Sequence, residues 1–575
     1  MISMPETTTH ADLNPSIDAY HFYEREWEGY EQLIGAFEHG VPDQFNLATY
    51  LCDRWVDTDP DRVAVHTLDT DGTETRDTYG ELRRGANRLA GYLADAGIDT
   101  GDRIAVSGAQ KVECLLAHLA AWKLGAISVP LSLLFGPDGL EYRLANSGAS
   151  AFIVDEAALP ALREIESDLD ELEATLVVGD GSTQEDEIAF HDAIADHSAD
   201  VETTTTDAND PAVIMYTSGT TGPPKGVVHA HRSLLGALPG QVLTRYNMDV
   251  RADDVLYTPG EWSWGGPLFD VIMSGLYLGV PIVGDADPEF DPGGMLELVD
   301  RFGVSIVGGP ATVWRALMQV PEANERYDLG SLRVVFNGGE ALGGSIVDWF
   351  HETIGDVAVH EVYGQTETAV TGAGDCEALG IDHHDGYMGK PVPGQEIEVL
   401  DADDAEPVGS GEVGELAVRY DGNPACFLEF WDAPEKTARR IDDGWLRTED
   451  LGSKSDDGYL SFHSRKDDVI NSAGYRIGPA EIEECLAAHD AVVDVGVIGV
   501  PDEMRGEIPK AFVVLAEGYE PSDDLREELQ THVKSRLAKY EYPRELEVVS
   551  ELPKTTTGKV RRHDLRVREG LVEAE

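Results

Sequence analysis

The sequence predicts an α/β protein with a large N-terminal domain of doubly wound sheets and a smaller α+β domain at the C-terminus. From residue 46 to residue 466, short apolar strands alternate with helical stretches. This alternation is typical of parallel sheets that carry ligand-binding loops at their strand ends. After Arg465 the pattern changes to a compact α+β unit. The chain has 575 residues, enough for more than one core, and we place the boundary between residues 1–466 and 467–575 at Asp467.

Hydrophobic periodicity predicts the individual elements. Residues 1–45 are polar and acidic, and we expect them to form a loosely held leader or a short docking segment. A helix is predicted at 79–96, because Leu82, Leu89 and Leu93 recur near helical spacing. The other predicted strands of the first domain are 104–107, 126–130, 151–154, 175–178 and 212–215, and a further helix is predicted at 114–122. In the C-terminal region we expect helices at 481–486 and 525–537 and strands at 492–500 and 511–515.

The composition limits the classes of partner. Acidic residues number 108 against 43 Lys and Arg, which gives a formal net charge of −65. Such a charge disfavours nucleic acid and anionic membrane surfaces. The hydrophobic content of 42% argues for a folded chain rather than a disordered one. We therefore expect an acidic, solvated surface suited to high salt, and hence a halophilic source.

Cysteine usage and the N-terminus favour a cytoplasmic location. The five cysteines are far apart and form no CxxC pair, so we expect buried thiols rather than disulfides or a zinc site. Residues 1–16 have neither a cationic start nor an apolar core, so no secretion signal is predicted. The most apolar stretch, 114–131, contains His118 and Lys123 and is too short to span a bilayer, so no membrane insertion is expected.

The most informative segment is Tyr216-Thr-Ser-Gly-Thr-Thr-Gly-Pro-Pro-Lys-Gly226, which follows the apolar run 212–215. Glycines let backbone N–H groups approach an anion, hydroxyls add donors, and a lysine adds charge. This combination indicates a polyphosphate-binding loop, but no Gly-Lys-Ser/Thr opens a helix here, so it is not a Walker loop. The alternative is an ordinary polar surface loop. The residues predicted to hold phosphate are Thr217, Ser218, Gly219, Thr220, Thr221, Gly222 and Lys225.

Further motifs follow in order: Tyr363-Gly-Gln-Thr-Glu-Thr368, Thr448-Glu-Asp450, the run from Arg465 to Arg476, and Pro553-Lys-Thr-Thr-Thr-Gly-Lys559. Together with the loop, they make the chain resemble the adenylate-forming (ANL) superfamily over about residues 45–570. In its motifs the chain is most similar to medium-chain acyl-CoA synthetases and acetyl-CoA synthetase-like enzymes. The resemblance implies a mobile C-terminal lid that rotates about a hinge, placed here at Asp467. It also implies ATP, Mg²⁺ and coenzyme A, and activation of a carboxylic acid as acyl-AMP before transfer to CoA.

The resemblance also implies roles for single residues. Lys559 would bridge the carboxylate and the α-phosphate, Thr366 would donate to that phosphate, and Glu367 would hold Mg²⁺, a cation that prefers oxygen ligands. Asp450 would accept from the ribose hydroxyls, although an Asp–Arg pair that only stabilises the hinge is the alternative. The remaining implied nucleotide contacts are Gly339, Glu340, Ala341, Glu361, Val362, Tyr363, Gly364, Gln365, Arg465 and Arg476.

For CoA, the resemblance implies Ala473, Gly474, Tyr475, Arg505, Lys534 and Tyr542, with Gly474 leaving room for the pantetheine arm. Lys534 is also compatible with an ordinary surface lysine on an amphipathic helix. His489 resembles a position beside an accessory metal in acetate-activating relatives, but a lone histidine after a helix is more often structural.

The identity of the acid is the least determined feature. Acetate-specific relatives place a tryptophan where this chain has Gly364, which predicts room for several methylenes and a short- to medium-chain fatty acid. Trp262 and Trp264 are the expected opposite wall. They also suit an aryl-CoA ligase with a flat slot, and an acetyl- or propionyl-CoA synthetase is a further alternative. A carrier-protein adenylation domain is disfavoured because the chain ends soon after Lys559, and a non-catalytic nucleotide-binding scaffold because Glu367 and Lys559 are both present.

Overall fold

The computed structural model describes residues 15–179, 183–184, 187–217, 223–287, 289–339, 342–401, 406–465, 470–516, 518–553, 560 and 562–572. Within these ranges, two mixed sheets form most of the N-terminal domain. In spatial order, the first contains Lys390–Pro391, Ala373–Gly374, Ala358–Tyr363, Val334–Gly338, Ile306–Gly309, Leu256–Tyr257, Ile282–Asp285, Val63–Leu68 and Glu74–Thr78. The second contains Glu429–Phe430, Lys225–Ala230, Pro211–Thr217, Ile127–Pro130, Arg103–Ser107, Ala149–Asp155, Ala174–Val178 and Glu187–Ala189.

The central strands of both sheets pair in parallel, and antiparallel pairs lie towards the edges. Helices connect the strands and cover the sheets. The α-helices described in this domain are Tyr30–Ala36, Arg54–Thr58, Tyr79–Asp95, Val112–Leu124, Pro137–Ser147, Leu159–Ile165, Phe190–Ala195, Ser233–Thr244, Ser274–Leu278, Pro292–Phe302, Ala311–Leu317, Ala323–Arg326, Gly344–Thr353 and Pro434–Arg440. Tighter or wider helical turns span Pro15–Glu24, Thr49–Asp53, Glu166–Asp168, Gly266–Met273, Thr366–Thr368 and Glu377–Leu379.

A smaller antiparallel sheet completes the N-terminal domain. It contains Ile397–Leu400, Gly414–Arg419, Trp445–Lys454 and Ile441–Asp442, and Leu460–Arg465 also pairs with Trp445–Lys454. The C-terminal domain has its own sheet of Tyr475–Ile477, Ile470–Ser472, Gly506–Leu515 and Val492–Asp502, with Glu545–Val548 beside Gly506–Leu515. Its described helices are Pro479–Ala487, Asp523–Arg536 and Arg562–Arg568. Residues 466–469, which include the predicted hinge Asp467, lie outside the described ranges.

The predicted α/β class is confirmed, and local chemistry explains why elements begin where they do. The helix Tyr79–Asp95 starts behind a capping box: the Thr78 hydroxyl accepts from the Glu81 N–H at 3.2 Å, and the Glu81 carboxylate accepts from the Thr78 N–H at 2.9 Å. Such reciprocal bonds satisfy two N–H groups that a helix start leaves unpaired. Leu82, Leu89 and Leu93 are fully buried, as their spacing predicts.

Residues 15–45 differ from the loosely held leader expected from their polar composition. Tyr20 and Leu33 are fully buried and Phe22 nearly so, and all three join the main core of the N-terminal domain. A few aromatic and aliphatic side chains thus outweigh the acidic residues around them, since burying each one stabilises the fold by about 1.5–3 kcal/mol.

All five cysteines lie in described ranges, and they are free and buried as expected. Burial raises the thiol pKa of Cys52, Cys114 and Cys426, which favours the unreactive protonated form. Within the described ranges, no helix combines the length and apolar character needed to cross a bilayer.

Candidate active site

A cavity of about 570 Å³ lies where the strand ends of both large sheets meet the C-terminal domain. Residues from separate motifs line it: Thr217 and Lys225, Thr366 and Glu367, and Ala473 to Tyr475. In open α/β sheets, ligands bind at the carboxyl ends of the strands, and this cavity follows that rule.

Two antiparallel strands flank the segment that is predicted to bind phosphate. Thr217 ends the first strand and pairs with Lys225, which starts the second. Lys225 lies on the cavity wall, and burial lowers its pKa, partly offset by the nearby Glu449 carboxylate. The intervening residues Ser218, Gly219, Thr220, Thr221 and Gly222 lie outside the described ranges.

The turn Thr366–Thr368 places Glu367 on the same wall. The Glu367 carboxylate is buried, and its Oε1 lies 3.2 Å from Nη1 of Arg440. Arg440 also pairs with Glu449 at 3.0 Å. Sequence reasoning missed both Arg440 and Glu449. Glu449 belongs to the Thr448-Glu-Asp450 motif, and its place in that motif could have identified it as a site residue.

Glu367 and Glu449 are candidate ligands for Mg²⁺ on the cavity wall. Among the described residues there is no cluster of three or more histidine, cysteine, aspartate or glutamate side chains that could hold a metal. Mg²⁺, however, is commonly held by one or two carboxylates together with substrate phosphates and water. Glu367 and Glu449 both line the cavity near Lys225, so the carboxylates present fit that mode.

Asp450 lies beside the cavity in a polar network. Its Oδ2 accepts a hydrogen bond from the Tyr363 hydroxyl at 2.8 Å and another from the Gln365 amide. Asp450 is 3% exposed, and it faces Arg465 across the strand ladder. The structure thus brings Tyr363, Gln365 and Asp450 together.

Glu361 lies beneath the loop predicted to border adenine. Its carboxylate accepts from the Leu342 N–H at 2.6 Å, which anchors the chain just after that loop. Burial raises the Glu361 pKa well above its usual value. Gly339 and Val362 line the cavity, whereas Glu340 and Ala341 lie outside the described ranges.

The C-terminal domain contributes the Ala473-Gly474-Tyr475 turn. Ala473 and Gly474 have positive φ values of 53° and 80°. A Cβ on Gly474 would lie 2.8 Å from Pro310, so the turn touches the N-terminal domain. Tyr475 stacks on Tyr540 at a centroid distance of 4.0 Å, and both rings meet Trp264 edge-on at 5.8 Å.

A basic group lies beyond this turn. Arg505 lines the cavity, and its carbonyl accepts from the Ala473 N–H at 2.9 Å. Lys534 and Arg544 lie 5.0 and 4.9 Å from the Tyr542 ring centre. Burial and the neighbouring Arg505 charge both lower the Arg544 pKa. The sequence analysis named Tyr542 as a CoA contact but did not identify Arg544, two residues away.

Other predicted residues take different places. Lys559 and the other residues of 554–559 lie outside the described ranges, and so do the side chains of Arg465 and Arg476. His489 lies 3.5 Å from Glu528, and its Nδ1 accepts from the Ala491 N–H at 3.2 Å, both within the C-terminal domain.

The predicted acyl-pocket residues separate into two groups. Trp264 lines the cavity, but Trp262 is fully buried in the core, where it packs against Gly284. Gly364 also lines the cavity. Its missing side chain does not open the cavity, contrary to the expectation above, because a Cβ there would lie 2.3 Å from the backbone of Val370. Gly364 instead permits two chain segments to approach each other closely.

Comparisons with known proteins agree with this arrangement. Residues 52–427 match the AMP-binding enzyme family, and residues 481–559 match the AMP-binding enzyme C-terminal domain. The chain is 31% identical over 560 residues to the mitochondrial acyl-coenzyme A synthetase ACSM3 of Rattus norvegicus, covering 94% of each chain. It is 35% identical over 522 residues to the uncharacterized acyl–CoA ligase YtcI of Bacillus subtilis, covering 89% of this chain and 94% of that protein.

A solved structure extends the comparison to the whole fold. The crystal structure of Brucella canis acyl-CoA synthetase matches with a TM-score of 0.69 and 34% identity, covering 95% of this chain and 99% of the other. The two family matches fall on the N-terminal and the C-terminal domain respectively. The chain therefore belongs to the AMP-forming acyl-CoA synthetases, the ATP-dependent ligases that join a carboxylic acid to coenzyme A.

Proposed function

We propose that this enzyme activates a short- to medium-chain carboxylic acid with ATP and Mg²⁺, and then transfers the acyl group to CoA. One observation carries the proposal: a single cavity is lined by the phosphate side, the lid turn and an apolar wall. Lys225 and Glu367 lie on the phosphate side, Gly474 belongs to the lid turn, and Val271 and Phe336 belong to the apolar wall.

In the first half-reaction, a carboxylate oxygen of the acid attacks the α-phosphorus of ATP. An O–P bond forms, the bond to pyrophosphate breaks, and acyl-AMP results. Charge develops on phosphate oxygens, so catalysis depends mainly on positioning and electrostatic stabilisation. Lys225 and Thr366 both line the cavity and would interact with those oxygens, and Lys559 would join them from the lid.

Glu367 and Glu449 would hold Mg²⁺, which neutralises phosphate charge when bound. Arg440 pairs with each of these carboxylates and so fixes their positions on the cavity wall. Arg440, which itself lines the cavity, thus sets the geometry of the two carboxylates.

In the second half-reaction, the CoA thiolate attacks the acyl carbonyl, a C–S bond forms, and AMP leaves with the carboxyl oxygen. The close approach of Gly474 to Pro310 supports a lid orientation suited to this step, because it places the 473–475 turn at the cavity. Arg505, Lys534 and Arg544 would attract the CoA phosphates, and such a basic group is notable on a chain of net charge −65.

An ATP–pyrophosphate exchange screen over acids from acetate to octanoate, with benzoate added, tests the proposal. We expect exchange to peak between butyrate and octanoate and thioester to form only when CoA is added. Glu367→Gln should abolish exchange in a protein that still folds, because Arg440 keeps its ion pair with Glu449. A maximum at benzoate would favour an aryl-CoA ligase, and a maximum at acetate an acetyl-CoA synthetase. Exchange that proceeds without any thioester would contradict the second half-reaction.

A further inference from the structure

A buried carboxylate lies on the wall of the cavity. Asp270 belongs to the wide helical turn Gly266–Met273, and it lines the cavity although it is only 5% exposed. Its Oδ2 pairs with Nη2 of Arg245 at 2.9 Å. Its Oδ1 is buried and has no hydrogen-bond partner. Turns of this wide type are rare and are frequently found at functional sites.

A neighbouring residue, Gln241, also has a buried oxygen without a hydrogen-bond partner. Gln241 donates to the Phe269 carbonyl at 2.7 Å, while its Oε1 is buried and has no partner. Burial raises the Asp270 pKa, and Arg245 and the nearby Gln241 amide offset part of that effect. Asp270 Oδ1 and Gln241 Oε1 are therefore two buried acceptor oxygens that lack a hydrogen-bond partner, and the first belongs to a residue of the cavity wall.

Arg245 is held behind the same wall. It lies 5.4 Å from the ring centre of Phe336, and its Nη2 also reaches the Val370 carbonyl at 3.4 Å. Phe336 and Val370 both line the cavity. The ion pair thus lies just beneath the apolar surface that an acyl chain would contact.

A buried ion pair of this kind is weak evidence for a purely stabilising role. Replacing a buried ion pair with well-packed apolar residues is often neutral or stabilising. A buried acceptor left without a donor carries an uncompensated desolvation cost. A purely alkyl chain would cover Asp270 and leave that cost in place, whereas a substrate with a donor would remove it.

We propose that the acid carries a neutral hydrogen-bond donor, a hydroxyl or an amide N–H, at the distal end of its chain, and that Oδ1 of Asp270 accepts from it. The donor is neutral because Arg245 already balances the Asp270 charge, so an ammonium group would meet as much repulsion as attraction. This inference rests on the proposed function, since it names the substrate class of the same cavity.

Wild-type enzyme provides the primary test. ATP–pyrophosphate exchange is measured for alkyl acids of four to eight carbons and for the ω-hydroxy acids in which the terminal methyl is replaced by hydroxyl. Exchange is read before any lactone can form from an activated hydroxy acid. At the best chain length we expect kcat/KM for the hydroxy acid to exceed that of its alkyl isostere by about tenfold or more, because sites built around a polar group reject analogues that lack it.

A preference for the alkyl isostere, or for the ω-amino acid over both, would overturn the inference. These results differ from failure of the proposed function, in which no acid of the panel supports exchange. Loss of all activity therefore rejects the reaction, and an alkyl preference rejects only the role of Asp270.

A double variant tests the residue directly. Arg245→Leu with Asp270→Leu removes the pair without leaving one charge buried, and it should invert the preference in favour of alkyl acids. The matched control replaces Asp53 and Lys123, a buried pair 2.6 Å apart that does not line the cavity, with leucine. The control should leave the ratio of hydroxy to alkyl activity unchanged. An unchanged ratio in the Arg245/Asp270 variant would overturn the proposal, and if that variant does not fold, the wild-type comparison decides.

Discussion

Gly474 of the C-terminal domain lies directly against Pro310 of the N-terminal domain. A Cβ on Gly474 would come within 2.8 Å of Cγ and 2.9 Å of Cβ of Pro310. The glycine has φ of 80°, a backbone conformation that side chains disfavour. Two independent constraints, backbone conformation and space between domains, therefore select glycine at this position.

Gly474→Ala should slow thioester formation from supplied acyl-AMP much more than it slows adenylation. The added methyl pushes the lid away from Pro310, and a misfit of about 1.4 kcal/mol in the transition state already lowers a rate tenfold. Stopped-flow measurement of each half-reaction checks this. Gly518→Ala is the control, because Gly518 has φ of 98° but nothing within 4 Å of its Cβ position. Equal effects in the two variants would show that backbone strain alone is responsible.

Lys559→Ala should cut acyl-adenylate formation by orders of magnitude and leave thioester formation from supplied acyl-AMP largely intact. The reason is that a point charge at the carboxylate and α-phosphate is needed only while the O–P bond forms. ATP–pyrophosphate exchange and acyl-AMP consumption measure the two steps. Lys554→Ala, in the same threonine-rich segment, is the control. A similar loss in both half-reactions would reject the assignment of Lys559.

Local sequence patterns predicted the helices, the strands and their buried faces. They did not predict contacts between segments that are distant in the sequence. Leu82, Leu89 and Leu93 are buried as predicted, because helical periodicity indicates which face of a helix packs against the core. No periodicity states that Val370 approaches Gly364, so the effect of that glycine was misjudged. Both Ala369 and Val370 have positive φ, at 48° and 55°, a conformation that composition does not reveal.

The same limit applies to residues that act through partners. Arg440 and Arg544 carry no motif of their own, and their roles depend on carboxylates or rings brought close by folding. Trp262 and Trp264 are two positions apart, yet one is core and the other faces the lid. Residues two apart share a face in an extended strand, but 262–264 forms a turn, and sequence alone does not say which of the two rings faces the cavity.

Stability should rise with salt. The net charge of −65 makes the folded chain repel itself, and ions shorten the screening length from about 10 Å at 0.1 M to about 3 Å at 1 M. We expect the melting temperature and the activity to be higher at about 2 M KCl than at about 0.1 M. Sucrose, which is excluded from protein surfaces without screening charge, is the control and should reproduce only a minor part of the shift. A melting temperature that falls with KCl would contradict the halophilic interpretation.

Gly266→Leu should shorten the range of acids that the enzyme accepts. Gly266 lines the cavity, and a Cβ built on it meets nothing within 4 Å, so a larger side chain enters open space without strain. Leucine there occupies volume that a long acyl chain would need, and a clash in a packed pocket costs about 1–3 kcal/mol. Octanoate should therefore lose kcat/KM by about tenfold or more relative to butyrate. Gly364→Ala is the matched comparison, because its methyl would meet the Val370 backbone at 2.3 Å rather than the cavity. That variant should lower the melting temperature and reduce activity towards all acids alike. If Gly266→Leu kept the wild-type chain-length profile while Gly364→Ala changed it, the acyl chain would follow the Gly364 side of the cavity instead.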